Sequence, residues 1–73
     1  MSNQVVPIDD SSHVREISWD PSTRILEVVY RQGRRYRYRD VPHGTWEQLM
    51  RSSSKGSFLR REIQLRHSAQ EVR

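Results

Sequence analysis

Apolar and polar residues alternate in three short segments between residues 13 and 39, and a period of two predicts β-strands. The first predicted strand, His13 to Asp20, ends at the turn Asp20-Pro21-Ser22. The next two strands flank Gln32-Gly33 and form a predicted hairpin. The apolar positions of these strands share one face of the sheet: Ile17, Trp19, Leu26, Val28, Tyr30, Tyr36 and Tyr38.

Loop length decides which residues of the hairpin lie opposite each other. A two-residue loop would pair Tyr30 with Arg35 and mix the apolar row with a basic one. We therefore predict a three-residue loop, Gln32-Gly33-Arg34, which pairs Tyr30 with Tyr36 and Val28 with Tyr38. A four-residue loop after the first strand similarly places Trp19 opposite Leu26.

The residues after Val41-Pro42 follow a helical pattern and supply a cover for the apolar face. Thr45-x-x-Gln48 matches a capping box within a predicted helix from His43 to Arg51. A second helix is predicted from Lys55 to His67. The predicted fold is α+β (β-β-β-α-α): a three-stranded antiparallel meander with a C-terminal helical hairpin packed on one face. Residues 13–67 form the single domain, between a flexible arm (1–12) and a frayed tail (68–73).

Composition narrows the class of protein. The chain has 73 residues, of which 33% are hydrophobic, and it has no cysteine. The absence of cysteine excludes disulfides, a thiolate metal site and a cysteine nucleophile. A core of this size leaves little room for a deep substrate cavity, so we expect a binding module without a catalytic site, metal or cofactor. No apolar run is long enough for a membrane helix and the N-terminus lacks signal-peptide features, so we expect a soluble cytoplasmic protein, a monomer or weak homodimer.

Positive charge is concentrated in the second part of the chain. Residues 1–30 carry two bases and five acids, whereas residues 31–73 carry eleven bases and four acids. This asymmetry predicts an electropositive surface and an anionic partner, most commonly nucleic acid. Twelve of the thirteen bases are arginine, which is typical of phosphate recognition and also of a GC-rich genome.

Alternation along the third predicted strand places Arg35, Arg37 and Arg39 on one face, about 6.7 Å apart. This spacing suits successive phosphates of a nucleic-acid strand, with Arg31 and Arg34 flanking the row. Two other interpretations are a solvated face that prevents aggregation, with Glu27 paired to one arginine, and a protein-binding surface. The protein-binding alternative is an adaptor for an acidic partner, which would also use exposed Ile25 and Val29 on the same face.

Two other groups of residues have a functional and a structural interpretation. Tyr36 and Tyr38 are either base-stacking platforms or, as the parity of the strand favours, core residues beneath the helices. Ser54-Lys55-Gly56-Ser57 is either a phosphate seat, in which Lys55 and the Gly56 backbone hold the anion, or a turn capped by Ser54 or Ser57. His43 and Glu47 are predicted to be a pair at a helix end rather than a catalytic couple.

Several motifs together resemble one family. They are Ile17-Ser18-Trp19-Asp20, Leu26-Glu27-Val28, Tyr36-Arg37-Tyr38, Val41-Pro42 and Ser54-Lys55-Gly56-Ser57-Phe58 with Ile63. Their order and spacing resemble the KTSC domain, which takes its name from a segment at the C-terminus of some lysyl-tRNA synthetases and also occurs as small bacterial proteins. The sequence departs from the family at Arg34 and Ser18, where members tend to have glycine. The resemblance implies RNA binding, so the predicted partner is RNA before DNA.

Overall fold

The computed structural model describes residues 4–8 and 13–72. Five antiparallel strands form one sheet in the order of the chain. The strands are β1 (Gln4–Pro7), β2 (Val14–Asp20), β3 (Ile25–Tyr30), β4 (Arg35–Tyr38) and β5 (Ala69–Val72). Two helical segments lie between β4 and β5: α1 (His43–Arg51), and α2 (Lys55–Phe58) with its continuation as a π-helical turn, Leu59–Ile63.

The α+β class is confirmed, but the predicted number of strands is wrong. The two additional strands, β1 and β5, lie in the segments predicted as arm and tail and pair with β2 and β4. Both are four-residue strands at the edges of the sheet, where pairing with a neighbour supplies structure that their own sequence does not predict. Pro7 fits an edge, since it has no N–H to donate. Of the other residues of the predicted arm and tail, Ile8 is buried and Ser68 is exposed, whereas residues 1–3, 9–12 and 73 lie outside the described residues.

The helical segments cover one face of the sheet, here called the inner face. Its core contains the apolar residues that alternation predicted, together with Leu49, Phe58, Leu59 and Ile63 from the helical segments. Trp19 is buried, and its indole Nε1 donates a 2.9 Å hydrogen bond to the carbonyl of Val41. The half-buried Trp46 stacks on Trp19 with ring centroids 5.9 Å apart. Trp19 is therefore core, as predicted, and links β2 to the start of α1.

The β3–β4 register differs by two residues from the prediction. Val28 lies opposite Tyr36 and Leu26 opposite Tyr38. The loop has three residues, but they are Arg31-Gln32-Gly33, closed by Tyr30 N–H donating to Arg34 O at 2.8 Å. Gly33 ends this loop at φ 95°, which glycine adopts readily and Arg34 in that position would not. A shift of two preserves the faces, and the predicted four-residue loop with Trp19 opposite Leu26 is confirmed.

The first helix has the predicted bounds, but its start and the course of the second helix differ. Pro42 occupies the N-cap position of α1 without a side-chain cap, so Thr45 and Gln48 do not form the predicted capping box. Beyond Phe58 the chain widens into the π-helical turn and does not continue as an α-helix to His67. Gln64 N–H donates to Leu59 O at 2.8 Å, a bond between residues five apart that brings Phe58 and Ile63 to the same side. Within the described residues, no helix is long and apolar enough to cross a membrane.

Candidate nucleic-acid interface

The face of the sheet opposite the helices, the outer face, carries the predicted row of arginines. Arg35 and Arg37 alternate along β4 with Tyr36 and Tyr38, which point to the inner face. Arg39 continues the row beyond the strand, where its Nη2 donates a 3.3 Å hydrogen bond to Gln70 on β5. These three residues, Arg35, Arg37 and Arg39, are called the arginine row below.

One carboxylate on the outer face contacts two members of the arginine row. Arg35 Nη1 lies 3.4 Å from Glu27 Oε2, and Arg37 Nε lies 3.1 Å from Glu27 Oε1. The arginine side chains remain 53% and 51% exposed, whereas Glu27 is 21% exposed. This double ion pair holds the two guanidinium groups side by side and leaves part of each open to a ligand. Glu27 is the carboxylate in contact with the row, while Glu16 and Asp20 lie on the same face of the sheet, opposite Val29 and Ile25.

The apolar residues expected to be exposed on the outer face are more covered than predicted. Val29 is only 3% exposed, so the prediction that it is exposed is wrong. It lies opposite Glu16 on β2 and Arg35 on β4, and the stems of such long side chains cover apolar neighbours. Ile25 is half-buried. The outer face therefore presents charged groups over a small apolar patch.

The two arginines predicted to flank the row lie elsewhere. Arg31 belongs to the β3–β4 loop, and its Nη2 donates a 3.1 Å hydrogen bond to Ile8 O, toward the opposite edge of the sheet from β5. Arg34 precedes β4 with the parity of Tyr36, so it is exposed at the inner side of the hairpin. The structure does not bring either residue together with the arginine row.

The Ser-Lys-Gly segment lies with the helices, on the inner side of the sheet. Lys55 Nζ donates a 3.1 Å hydrogen bond to the carbonyl of Ser52, the C-cap residue that follows α1. Ser54 occupies the N-cap position of α2, but its hydroxyl bonds to the Ser57 hydroxyl at 3.0 Å and caps no backbone N–H. Lys55 therefore neutralises the carboxyl end of α1, and neither Lys55 nor Gly56 lies near the arginine row.

A groove of about 710 Å³ lies between the β3–β4 loop and the second helical segment. We call it the hairpin groove; its polar lining includes His13, Arg31, Gln32, Ser57, Arg60 and Gln64. Sequence reasoning missed this site because its residues come from three separate segments. One signal was present: Ser57, Arg60 and Gln64 recur at helical spacing beside the apolar stripe.

Three tyrosines line a smaller pocket of about 380 Å³ that adjoins the hairpin groove. In this tyrosine pocket, formed by Tyr30, Tyr36, Tyr38, Gln32, Gln64 and Ala69, the Tyr30 and Tyr38 hydroxyls lie 3.0 Å apart. Tyr38 is buried, as predicted, whereas Tyr36 is half-buried and meets the Tyr30 ring edge-on. Burial, and then the hydrogen bond with Tyr30, raises the pKa of the Tyr38 hydroxyl well above its ordinary value of 10.0. Tyr38 therefore stays neutral and supports the fold.

Two of the three histidines, His43 and His67, contact other groups of the fold. His43 Nδ1 lies 3.8 Å from Glu47 Oε1 in the first turn of α1, as the predicted pair at a helix end, and both side chains are exposed. His67 Nδ1 lies 2.9 Å from Arg39 O, a contact between the turn after the second helical segment and the residue after β4. Among residues 4–8 and 13–72, no cluster of three or more His, Asp or Glu side chains is arranged to hold a metal ion.

The fold defines a small α+β domain whose antiparallel sheet is covered by helices on one face. The sequence matches the KTSC domain over residues 10–67. This chain belongs to the KTSC domain family. It is 33% identical over 57 residues to an uncharacterised protein from Stutzerimonas stutzeri (strain A1501), covering 78% of this chain and 80% of the relative. The crystal structure of a KTSC domain protein from Yersinia pestis superposes with a TM-score of 0.88 at 32% identity, covering 99% of this chain and 100% of the other.

Proposed function

We propose that this domain is a non-enzymatic nucleic-acid-binding module of the cytoplasm that contacts phosphates through the arginine row. The observation that carries the proposal is the exposed position of three arginines, two on β4 and Arg39 just after it, on the sheet face opposite the helices. Guanidinium groups form paired hydrogen bonds with phosphate oxygens, and a row at about 6.7 Å intervals follows a strand backbone. Such contacts position a strand without selecting its sequence.

We place RNA before DNA because the family resemblance implies an RNA partner. The acidic-protein adaptor is the other function that an arginine row serves, and it would need an apolar anchor beside the charges. Val29 is covered and Ile25 is half-buried, so the outer face offers little apolar area. Because the outer face exposes charged groups and little apolar area, a polyanionic strand is the favoured partner.

The test is fluorescence anisotropy with labelled single-stranded RNA, duplex RNA and duplex DNA of about 20 nucleotides, from about 50 to 200 mM salt. The site variant replaces Arg35, Arg37 and Arg39 by serine. A matched control replaces Arg24, Arg51 and Arg61, three exposed arginines outside the row, by serine, so that both variants lose the same charge.

We expect micromolar binding by the wild type, strongest for RNA, and a log–log salt slope that falls by about two to three in the site variant. The control variant should retain most of the affinity. Equal losses in both variants would show that only net charge matters. No binding by the folded wild type at about 50 mM salt would refute the proposal and direct attention to an acidic protein partner.

A further inference from the structure

We infer that the hairpin groove and the tyrosine pocket together form a binding site for one unpaired nucleotide. The inference goes beyond the proposed function because this site lies on the inner side of the sheet, away from the arginine row. The two cavities share Tyr30, Gln32 and Gln64 in their linings, so they are neighbouring parts of one depression.

The hairpin groove has the charge of a phosphate site. Its lining includes Arg31 and Arg60, and none of the described residues that line it is an aspartate or glutamate. The hydrogen bond from Arg31 to Ile8 O holds that guanidinium at the groove wall. Arg60 is exposed and lies at helical spacing from Ser57 and Gln64, so its side chain is free to reach across the opening. Two guanidinium groups in one groove favour a phosphate over a singly charged carboxylate.

The tyrosine pocket has the chemistry of a base site. Tyr30 and Tyr36 present perpendicular rings with centroids 5.5 Å apart, and Tyr36 is half-exposed. Unpaired bases stack on aromatic side chains and form hydrogen bonds through their edges. Carboxamides suit those edges because each one donates and accepts. Gln64 Nε2 donates to the Tyr30 hydroxyl at 3.1 Å, a bond that leaves the carbonyl oxygen of Gln64 for a ligand.

The size and backbone of the site agree with this assignment. The volumes of about 710 and 380 Å³ lie within the range of small-molecule sites, about 300 to 1,000 Å³, and exceed what a single inorganic anion fills. Arg60 belongs to the π-helical turn and Gln64 closes it. Such turns occur frequently at functional sites because the wider turn reorients side chains. Here the π-helical turn and its C-cap carry Arg60 and Gln64, which both line the hairpin groove.

Two ligands present this chemistry to the site: a free mononucleotide and an unpaired nucleotide of a bound strand. The experiment is an NMR titration that follows the side-chain amide signals of Gln32 and Gln64. One arm uses AMP, with ribose 5-phosphate and adenosine as its two halves. The other arm uses a 5′-phosphorylated single-stranded RNA hexanucleotide and the same sequence in a fully paired duplex.

The variant Arg60→Gln and its control Arg61→Gln remove the same charge at adjacent positions. Both residues are exposed, so neither substitution threatens the fold. Arg60 lines the groove and Arg61 does not, which makes Arg61 the control. We expect AMP to shift both amide signals, each half of AMP to bind more weakly, and Arg60→Gln to weaken AMP binding by about fivefold to tenfold. Arg61→Gln should change it by less than about twofold.

If single-stranded RNA alone shifts the amide signals, and the shift depends on Arg60 in the same way, the result supports the inference. It also identifies the ligand as an unpaired nucleotide of a strand. Ribose 5-phosphate binding as tightly as AMP would overturn the inference, since the groove would then be a simple anion site. Equal effects of Arg60→Gln and Arg61→Gln, or amide signals that none of the ligands shifts, would also overturn it. AMP titrated into the arginine-row variant separates the two proposals, because this site should still respond there.

Discussion

Replacing Glu27 by glutamine should strengthen nucleic-acid binding and leave the fold intact. Glu27 lies within 3.4 Å of Arg35 and 3.1 Å of Arg37, so one carboxylate occupies two members of the arginine row. Glutamine keeps the shape of the side chain and one carbonyl acceptor but carries no charge. The substitution therefore releases positive charge at the place where phosphate is proposed to bind.

The structure sets the size of both effects. The two ion pairs involve arginines that are about half exposed, so their loss should cost about 0.2 to 1 kcal/mol each. A domain of this size loses about 4 to 8 °C in Tm for each kcal/mol, which keeps the variant folded at room temperature if the wild type is stable. One additional phosphate contact on a single strand steepens the log–log salt slope by about 0.7. The affinity ratio of variant to wild type for single-stranded RNA should then rise about 2.5-fold to threefold between about 200 and about 50 mM salt.

The assay is fluorescence anisotropy with single-stranded RNA across that salt range, with circular dichroism to verify folding. The control is Glu47→Gln, which makes the same change of charge on α1, where Glu47 faces His43. The control should alter the salt slope little. If Glu27→Gln binds no more tightly than the wild type, or if both variants gain equally, the arginine row is not the phosphate site and the reasoning fails.

Three further predictions concern stability. Gly33→Ala should destabilise the domain by about 1 to 2 kcal/mol in a thermal melt, because φ is 95° and nothing lies within 4 Å to add a steric cost; an unchanged Tm would contradict that loop conformation. Tyr38→Phe should reduce the loss of stability at alkaline pH. The raised pKa keeps the Tyr38 hydroxyl neutral in the folded protein, whereas the same hydroxyl ionises in the unfolded chain near its ordinary pKa of 10.0. The wild type is therefore fully stabilised below about pH 10 and loses stability as the pH rises above it. Parallel Tm curves for both proteins from about pH 8 to about pH 11 would refute that assignment. Lys55→Met should lower stability by about 0.3 to 1 kcal/mol through loss of the contact with the end of α1, yet leave RNA affinity within about twofold, measured by melts and anisotropy; a large loss of affinity would return Lys55 to the binding surface.

The sequence predicted the features that depend on local periodicity. Alternation placed Trp19, Val28 and Tyr38 on the covered face, and helical spacing gave α1 its bounds. Alternation could not distinguish the hairpin register from one shifted by two residues, because either register keeps every side chain on the same face of the sheet. The position of Gly33 was the available signal, since the third residue of such a loop requires a positive φ.

The features that depend on distant parts of the chain were not predictable in the same way. β1 and β5 form because β2 and β4 offer them backbone partners, and β5 is mostly exposed, with no apolar alternation of its own. Arg31 was grouped with the arginine row by its position in the sequence, but the loop directs it toward Ile8. The hairpin groove likewise depends on the helical segments folding back over the β3–β4 loop, which no local pattern reports.

The most direct test of the central claim is an NMR titration of the arginine Nε–Hε signals with single-stranded RNA at about 50 mM salt. Each arginine of the row has its own signal, so the experiment locates phosphate contacts without any substitution. The account predicts that the signals of Arg35, Arg37 and Arg39 shift together as RNA is added and return when salt is raised to about 200 mM. Binding that leaves all three signals unchanged would contradict it.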